Sequence, residues 1–117
     1  MLSLGSSHRY YLYREPTDMR KGFNGLSGLV RAELNHDPLS GDVFIFINLR
    51  RDKMKLLVWD RSGFVIWYKQ LESGSFEMPS SSAQSHRISW QELVLILEGV
   101  ELKSVRHRKR FSLKKAG

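Results

Sequence analysis

Apolar side chains recur at Met19, Phe23, Leu26, Leu29, Val30 and Leu34, in steps of four, three, three, one and four. That spacing gathers them on one stripe of an α-helix. It predicts a long N-terminal helix over residues 18–34, capped by Thr17 or Asp18. Gly22, Gly25 and Gly28 fall inside the stripe at steps of three. Each costs a helix about 1 kcal/mol relative to alanine, so tertiary packing has to supply the stability, and another backbone is expected close against the glycine row. Upstream, residues 10–13 are short, aromatic and run into Pro16, which reads as a first strand entering a turn.

Downstream the period changes. Asp37, Pro38, Ser40 and Gly41 form a dense turn signal. Residues 43–47 are continuously apolar, as in a strand covered on both faces, and residues 53–59 and 64–71 read as two further strands. Short connections join them, one with Arg50 and Arg51 at its tip within residues 48–52, the other formed by Asp60, Arg61, Ser62 and Gly63. Three hairpin-linked strands predict an antiparallel meander. Residues 72–87, rich in Ser and Gly with Pro79 among them, read as a mobile loop. Ser89 followed by Glu92 is a capping box that opens a short helix over residues 90–97, with Trp90, Leu93, Val94, Ile96 and Leu97 as its apolar face and Gly99 behind it. The expected fold is therefore α+β: a small antiparallel sheet of three long strands plus one or two short ones, packed against one long N-terminal helix and one short C-terminal helix.

Length and composition limit what this fold can be. A chain of 117 residues with 41% hydrophobic positions builds a single core. No apolar run exceeds five residues, far below a membrane span. The residues before Arg9 lack an apolar stretch of signal-peptide length, and the absence of cysteine excludes disulfides and thiolate chemistry. A cytoplasmic protein is expected.

The net charge of +7 is unevenly placed. All 12 acidic residues lie at or before Glu101, together with 12 of the 19 basic ones. Residues 1–101, read as the domain, are formally neutral. The excess belongs to residues 102–117, read as a basic tail that carries Lys103, Arg106, Arg108, Lys109, Arg110, Lys114 and Lys115 with His107 and no acid. Such a block attracts polyanions by counterion release. Nucleic acid is the leading partner; a solubilising tail is the other reading, and the alternation before Phe111 and Leu113 also suits a short last strand.

Candidate catalytic groups are few. Asp18, Asp37, Asp42, Asp52 and Asp60 all sit where caps and turns want aspartate. The histidines, His8, His36, His86 and His107, show no ligand spacing. The expectation is a noncatalytic protein without metal or cofactor. Binding chemistry has two candidates. One is the segment Thr17, Asp18, Met19, Arg20, Lys21 and Gly22, whose basic residues in a first helical turn oppose the helix dipole unless an anion is bound there. Arg20 or Lys21 pairing with Glu15, or pointing into water, is the alternative. The other joins Arg50, Arg51, Lys53 and Lys55 with Trp59, Trp67, Tyr68 and Lys69. Basic side chains interleaved with aromatics suit a stacking platform, and equally an ordinary amphipathic sheet whose tryptophans are core.

Several of these residues recur in one known family. Thr17, Asp18, Met19, Arg20, Lys21 and Gly22 with Phe23, Gly25 and Leu26, then Asp37, Pro38, Ser40 and Gly41, then Trp59, Asp60 and Gly63, then Trp67, Tyr68, Lys69, Leu71, Glu72, Gly74, Phe76 and Pro79, and finally Leu97, Glu98, Gly99 and Val100 stand in family order. The chain thereby resembles the accessory protein TnpB, the second open reading frame of the insertion sequence sixty-six transposon family, over roughly residues 10–111. The resemblance implies a bacterial mobile-element protein that works beside a transposase carrying the catalytic triad and a small helix-turn-helix protein. Asn24 stands where the family commonly has Asp, and residues 48–52 replace a commonly glycine-containing basic tip. The expected function is a noncatalytic accessory role in DNA transposition. Nonspecific phosphate contacts would come from Arg20, Lys21, Arg50, Arg51, Lys53, Arg106, Arg108, Lys109 and Arg110, with assistance to transposase assembly. Docking on the transposase without touching DNA is the alternative.

Overall fold

The computed structural model describes residues 4–79 and 86–98. Its elements are β1 (Tyr10–Leu12), α1 (Phe23–Ala32), β2 (Val43–Ile47), β3 (Lys53–Asp60), β4 (Gly63–Gln70), β5 (Arg87–Ile88) and α2 (Trp90–Leu97). The five strands form one sheet in the order β4-β3-β2-β1-β5. The fold is mixed α and β, and the meander of β2, β3 and β4 is antiparallel as expected.

The sheet as a whole is mixed, which corrects the antiparallel expectation. β1 runs parallel to β2, with Tyr10 opposite Val43 and Leu12 opposite Ile45. The reason lies in the connection: α1 intervenes between the two strands, and a helical crossover returns the chain in the same direction. The start of this parallel pair is pinned by the Arg9 guanidinium, whose Nε donates to Asp42 at 3.0 Å, and by the Val43 N–H donating to the Arg9 carbonyl. β5 closes the far side antiparallel to β1. Arg87, read as loop from the sequence, belongs to this strand.

Alternation along the strands divides the core into two clusters. On one face, Leu26, Val30 and Leu34 of α1 and its C-terminal end pack on Tyr11, Phe44, Phe46 and Leu57. On the other, Leu93 and Ile96 of α2, together with Phe76, cover Tyr10, Leu12, Val43, Ile45, Ile47, Met54, Leu56 and Val58. β2 contributes to both, which is why its five residues are uniformly apolar. Phe76 is fully buried, and its N–H donates to the Arg51 carbonyl at 2.6 Å. Part of the segment read as mobile loop therefore closes the core; residues 80–85 of it lie outside the described residues.

α1 is ten residues long, not the seventeen of residues 18–34. The backbone before Gly22 is committed elsewhere. Tyr13 and Thr17 donate their N–H groups to the carbonyls of Ile45 and Ile47, so residues 13–17 run on beside β2. The carbonyls of Met19 and Lys21 face a side chain from the sheet. The first helical bond is Leu26 N–H to the Gly22 carbonyl, 2.9 Å, and no side chain caps the start. Asp18 is thus a turn residue, not a helix cap. At the other end Asn35 takes the left-handed conformation, φ 55°, and the chain turns away.

Among the described residues no backbone closes on the glycine row. A β-carbon at Gly22 or Gly28 would meet nothing within 4 Å, whereas one at Gly25 would stand 3.1 Å from Cβ of Lys21. A folded-back lysine side chain, not a neighbouring element, lies over α1 there. The capping box of α2 is formed as read: Glu92 N–H donates to Ser89 Oγ at 3.0 Å, and Ser89 N–H to Glu92 Oε1 at 2.9 Å. Lys69 of β4 reaches the other end of α2, its Nζ donating to the Leu97 carbonyl at 3.0 Å. No described helix is long and apolar enough to cross a membrane.

Candidate functional site

Lys55 sits in the middle of β3 on the α1 face, and only 9% of it is exposed. A buried ammonium needs donors' worth of acceptors, and Lys55 finds them in the backbone of the Thr17 to Gly22 motif. Its Nζ donates to the carbonyls of Met19 at 2.7 Å and Lys21 at 2.9 Å. The same Nζ lies 4.8 Å from the centroid of the Tyr68 ring on β4, a cation–π contact. Cross-strand pairing of Lys55 with Tyr68 puts both on this face. The motif is therefore strapped to the sheet by one lysine, which the sequence alone groups with the surface cations.

Within the strap, Asp18 and Arg20 form a closed unit. Asp18 Oδ1 accepts from the Arg20 backbone N–H at 2.9 Å, and the Arg20 guanidinium grips both carboxylate oxygens, Nε at 3.1 and 3.0 Å and Nη2 at 2.7 Å. These bonds hold the Asp18 carboxyl down to about 2, below the usual carboxylate range. Arg20 thus pairs with Asp18 and not with Glu15. Both basic residues of the motif also precede the helix instead of occupying its first turn, so the dipole argument does not apply to them.

The β2–β3 connection is built on Asn48. Its side-chain oxygen accepts from the N–H groups of Asp52 and Lys53, each at 3.0 Å, and its amide donates to Asp52 Oδ1 at 2.7 Å. This hydrogen bond, first among the causes, lowers the Asp52 pKa. Arg51 adopts φ 59° to complete the turn. Leu49, Arg50 and Arg51 are left exposed at the tip, Leu49 by 77%.

The strap and the tip face each other across an open cleft of about 570 Å³. Arg20, Arg50, Lys53, Leu49 and Tyr68 line it, with Asp18 as its acid. Three of the expected phosphate-binding residues are brought together here. Lys21 and Arg51 are exposed but do not line the cleft. Arg106, Arg108, Lys109 and Arg110 lie outside the described residues. Leu49 was not singled out by the sequence; the only available signal was a lone apolar residue among the polar residues of a tip.

The aromatic residues separate. Trp59 contacts Phe64 edge-on at 5.1 Å, and Asp60 closes β3 opposite Gly63, at the far end of the strand from Lys53. Phe23 stacks on Phe64 at 6.5 Å. Trp67 and Tyr68, 40% and 50% exposed, are adjacent on β4 and so project to opposite faces. They make no single platform: Tyr68 belongs to the cleft, Trp67 to the α2 side. Among the described residues no cluster of His, Cys, Asp or Glu could hold a metal ion. Asp37 accepts from the Leu39 N–H, and Asp42 is engaged by Arg9.

The sequence matches the family described as IS66 Orf2 like protein over residues 8–107. Two relatives from Sinorhizobium fredii (strain NBRC 101917 / NGR234) align over most of their length. Uncharacterized protein y4jC is 35% identical over 100 residues, 86% of either chain. Uncharacterized protein y4hO is 32% identical over 101 residues, 86% of this chain and 88% of the relative. No solved structure matches. The match covers every described strand and helix, and so the chain belongs to the IS66 Orf2 like family, whose role is accessory to transposition.

Proposed function

We propose that this protein is a noncatalytic transposition factor that holds transposon-end DNA through its phosphates and thereby assists assembly of the transposase. The observation that carries this reading is the convergence of Arg50 and Lys53 from the hairpin with Arg20 from the strap on one open cleft. Phosphate contacts position a protein without reading sequence. Binding is accordingly unspecific, salt-steep and weak for this chain alone, with Lys21, Arg51 and the basic residues Arg106, Arg108, Lys109 and Arg110 adding to it. Selection of the end sequence falls to the transposase or the helix-turn-helix protein.

The test is fluorescence anisotropy of a labelled transposon-end duplex and a scrambled duplex at low and near-physiological salt. Equal, salt-steep binding to both, reduced by joint replacement of Arg50 and Lys53 with alanine, is the expected result. Absence of binding at either salt overturns the reading.

One observation favours a second reading, docking on the transposase without DNA contact. β4 is an edge strand among the described residues, eight residues long, with Trp67 exposed on it, and such an edge can accept a strand from a partner. Loss of transposase co-purification on Trp67→Ala, with duplex binding absent in the parent protein, selects this reading.

A further inference from the structure

The cleft holds more than cations. Its wall is an aromatic ring, Tyr68, half exposed, and its rim is Leu49, the most exposed large apolar side chain described. Phosphate binding alone needs neither.

One face of the Tyr68 ring lies under the Lys55 ammonium, 4.8 Å from the centroid. That ammonium is itself fixed by the carbonyls of Met19 and Lys21, so the ring is braced from behind. The ring is half exposed and lines the cleft. A ring already held in place gives up little rotamer freedom when something flat stacks on it. Lys53 lies diagonally across from Tyr68, since Lys55 opposes Tyr68 and Lys53 opposes Gln70. Diagonal neighbours on one face stand about 7–8 Å apart, within reach of aromatic and long side chains, so the Lys53 ammonium can meet a phosphate next to a base on the ring. Arg50 brings a second cation to the same cleft. Among the described residues Asp18 is the one acid lining the cleft, and Arg20 engages both its oxygens; Asp52, beside Arg50 and Lys53, is held by the Asn48 amide.

A duplex cannot use this arrangement. Its base faces are covered by their neighbours, and only a nucleotide that is unpaired or turned out of the stack can offer a face to an aromatic side chain. Resting on the DNA reading above and refining it, we infer that the cleft receives an unpaired nucleotide of a single strand, with its base on Tyr68 against Leu49 and its flanking phosphates on Lys53 and Arg50.

The experiment compares oligo-dT, oligo-rU and a duplex of equal length, each labelled, by anisotropy with the full chain. Oligo-dT binds tighter than duplex, and Tyr68→Ala weakens it roughly 5- to 150-fold, the range for loss of one base–aromatic stack, while duplex affinity falls far less, so that the preference for the single strand is lost. Tyr68→Phe retains the wild-type preference. Tyr68→Leu keeps an apolar cover over Lys55 without a flat ring and reproduces the alanine result in a folded protein. Oligo-rU bound as well as oligo-dT identifies any unpaired strand as the ligand; weaker oligo-rU binding identifies DNA. If oligo-dT and duplex bind equally and no Tyr68 variant alters either, while the Arg50 and Lys53 replacements weaken both, the stacking inference is overturned and phosphate binding stands. If the wild-type chain binds none of the three, the DNA reading and the inference fall together.

Discussion

The Lys55 Nζ donates to the Met19 carbonyl across 2.7 Å, although the two residues lie 36 positions apart in the chain. With the second bond to Lys21, this contact decides where α1 can begin, because carbonyls aimed at a lysine on the sheet are not free to start a helical ladder. Lys55→Met leaves both carbonyls without their charged donor. Expected is a loss of about 2–3 kcal/mol and a fall in Tm on the order of 10 °C. Thermal unfolding measures it, and hydrogen exchange should show the largest loss of protection at residues 17–22.

Asp18 restrains the positive charge of the strap. Asp18→Asn can still accept from the Arg20 N–H, yet it releases the guanidinium from its carboxylate. Duplex affinity at low salt should therefore rise, by about two- to threefold, and the salt dependence should steepen by up to about one counterion. A weaker complex would show that Arg20 needs Asp18 to reach DNA.

The same pair has a pH signature. The folded Asp18 carboxyl titrates at about 2, below the usual unfolded value of about 3.9. What it contributes to stability is fully present above the unfolded value and disappears as pH falls through the folded one. Between about pH 4 and 2 the carboxyl resonance of Asp18 should remain that of a carboxylate while exposed acids protonate, as NMR titration will show. Arg20→Ala should return it toward the ordinary range.

α2 is held at both ends by single groups. Ser89→Ala removes one half of the capping box and should cost about 1 kcal/mol. Lys69→Ala removes the cation at the Leu97 carbonyl, worth about 0.3–1 kcal/mol at a helix C-terminus. Acting at opposite ends of the helix, the two losses should add in denaturant unfolding.

Phe76→Ala tests whether the segment after β4 is structural. A fully buried phenylalanine in the α2-side core predicts a loss of about 3–5 kcal/mol, whereas Leu39→Ala, an exposed turn residue, should change stability little.

What could be read from the chain follows the range of the forces concerned. The uninterrupted apolar run of β2, the Asp60 to Gly63 turn and the Ser89–Glu92 capping box are local patterns, and each stands in the fold as read. α1 failed at its start because the bond that stops it comes from Lys55, whose burial no neighbour in sequence announces. The parallel pairing of β1 with β2 likewise depends on a crossover and not on either strand's own pattern. For the site, Arg20, Arg50 and Lys53 were recognisable as cations, but that they share one cleft is a product of the β2–β3 register. That Trp67 and Tyr68 project to opposite faces follows from their adjacency on a strand, but only the sheet assigns Tyr68 to the cleft and Trp67 to the α2 side.

The position of β1 bears on how the protein is made. Lying between β2 and β5, β1 acquires one neighbour soon after α1 and β2 leave the ribosome, but the other only when Ile88 has been translated. Throughout that interval Tyr10, Tyr11 and Leu12 present a half-paired apolar edge to solvent. The nascent chain is most open to wrong strand partners then, and variants that weaken β5 should show their defect as lost yield during synthesis before they show it in the mature fold.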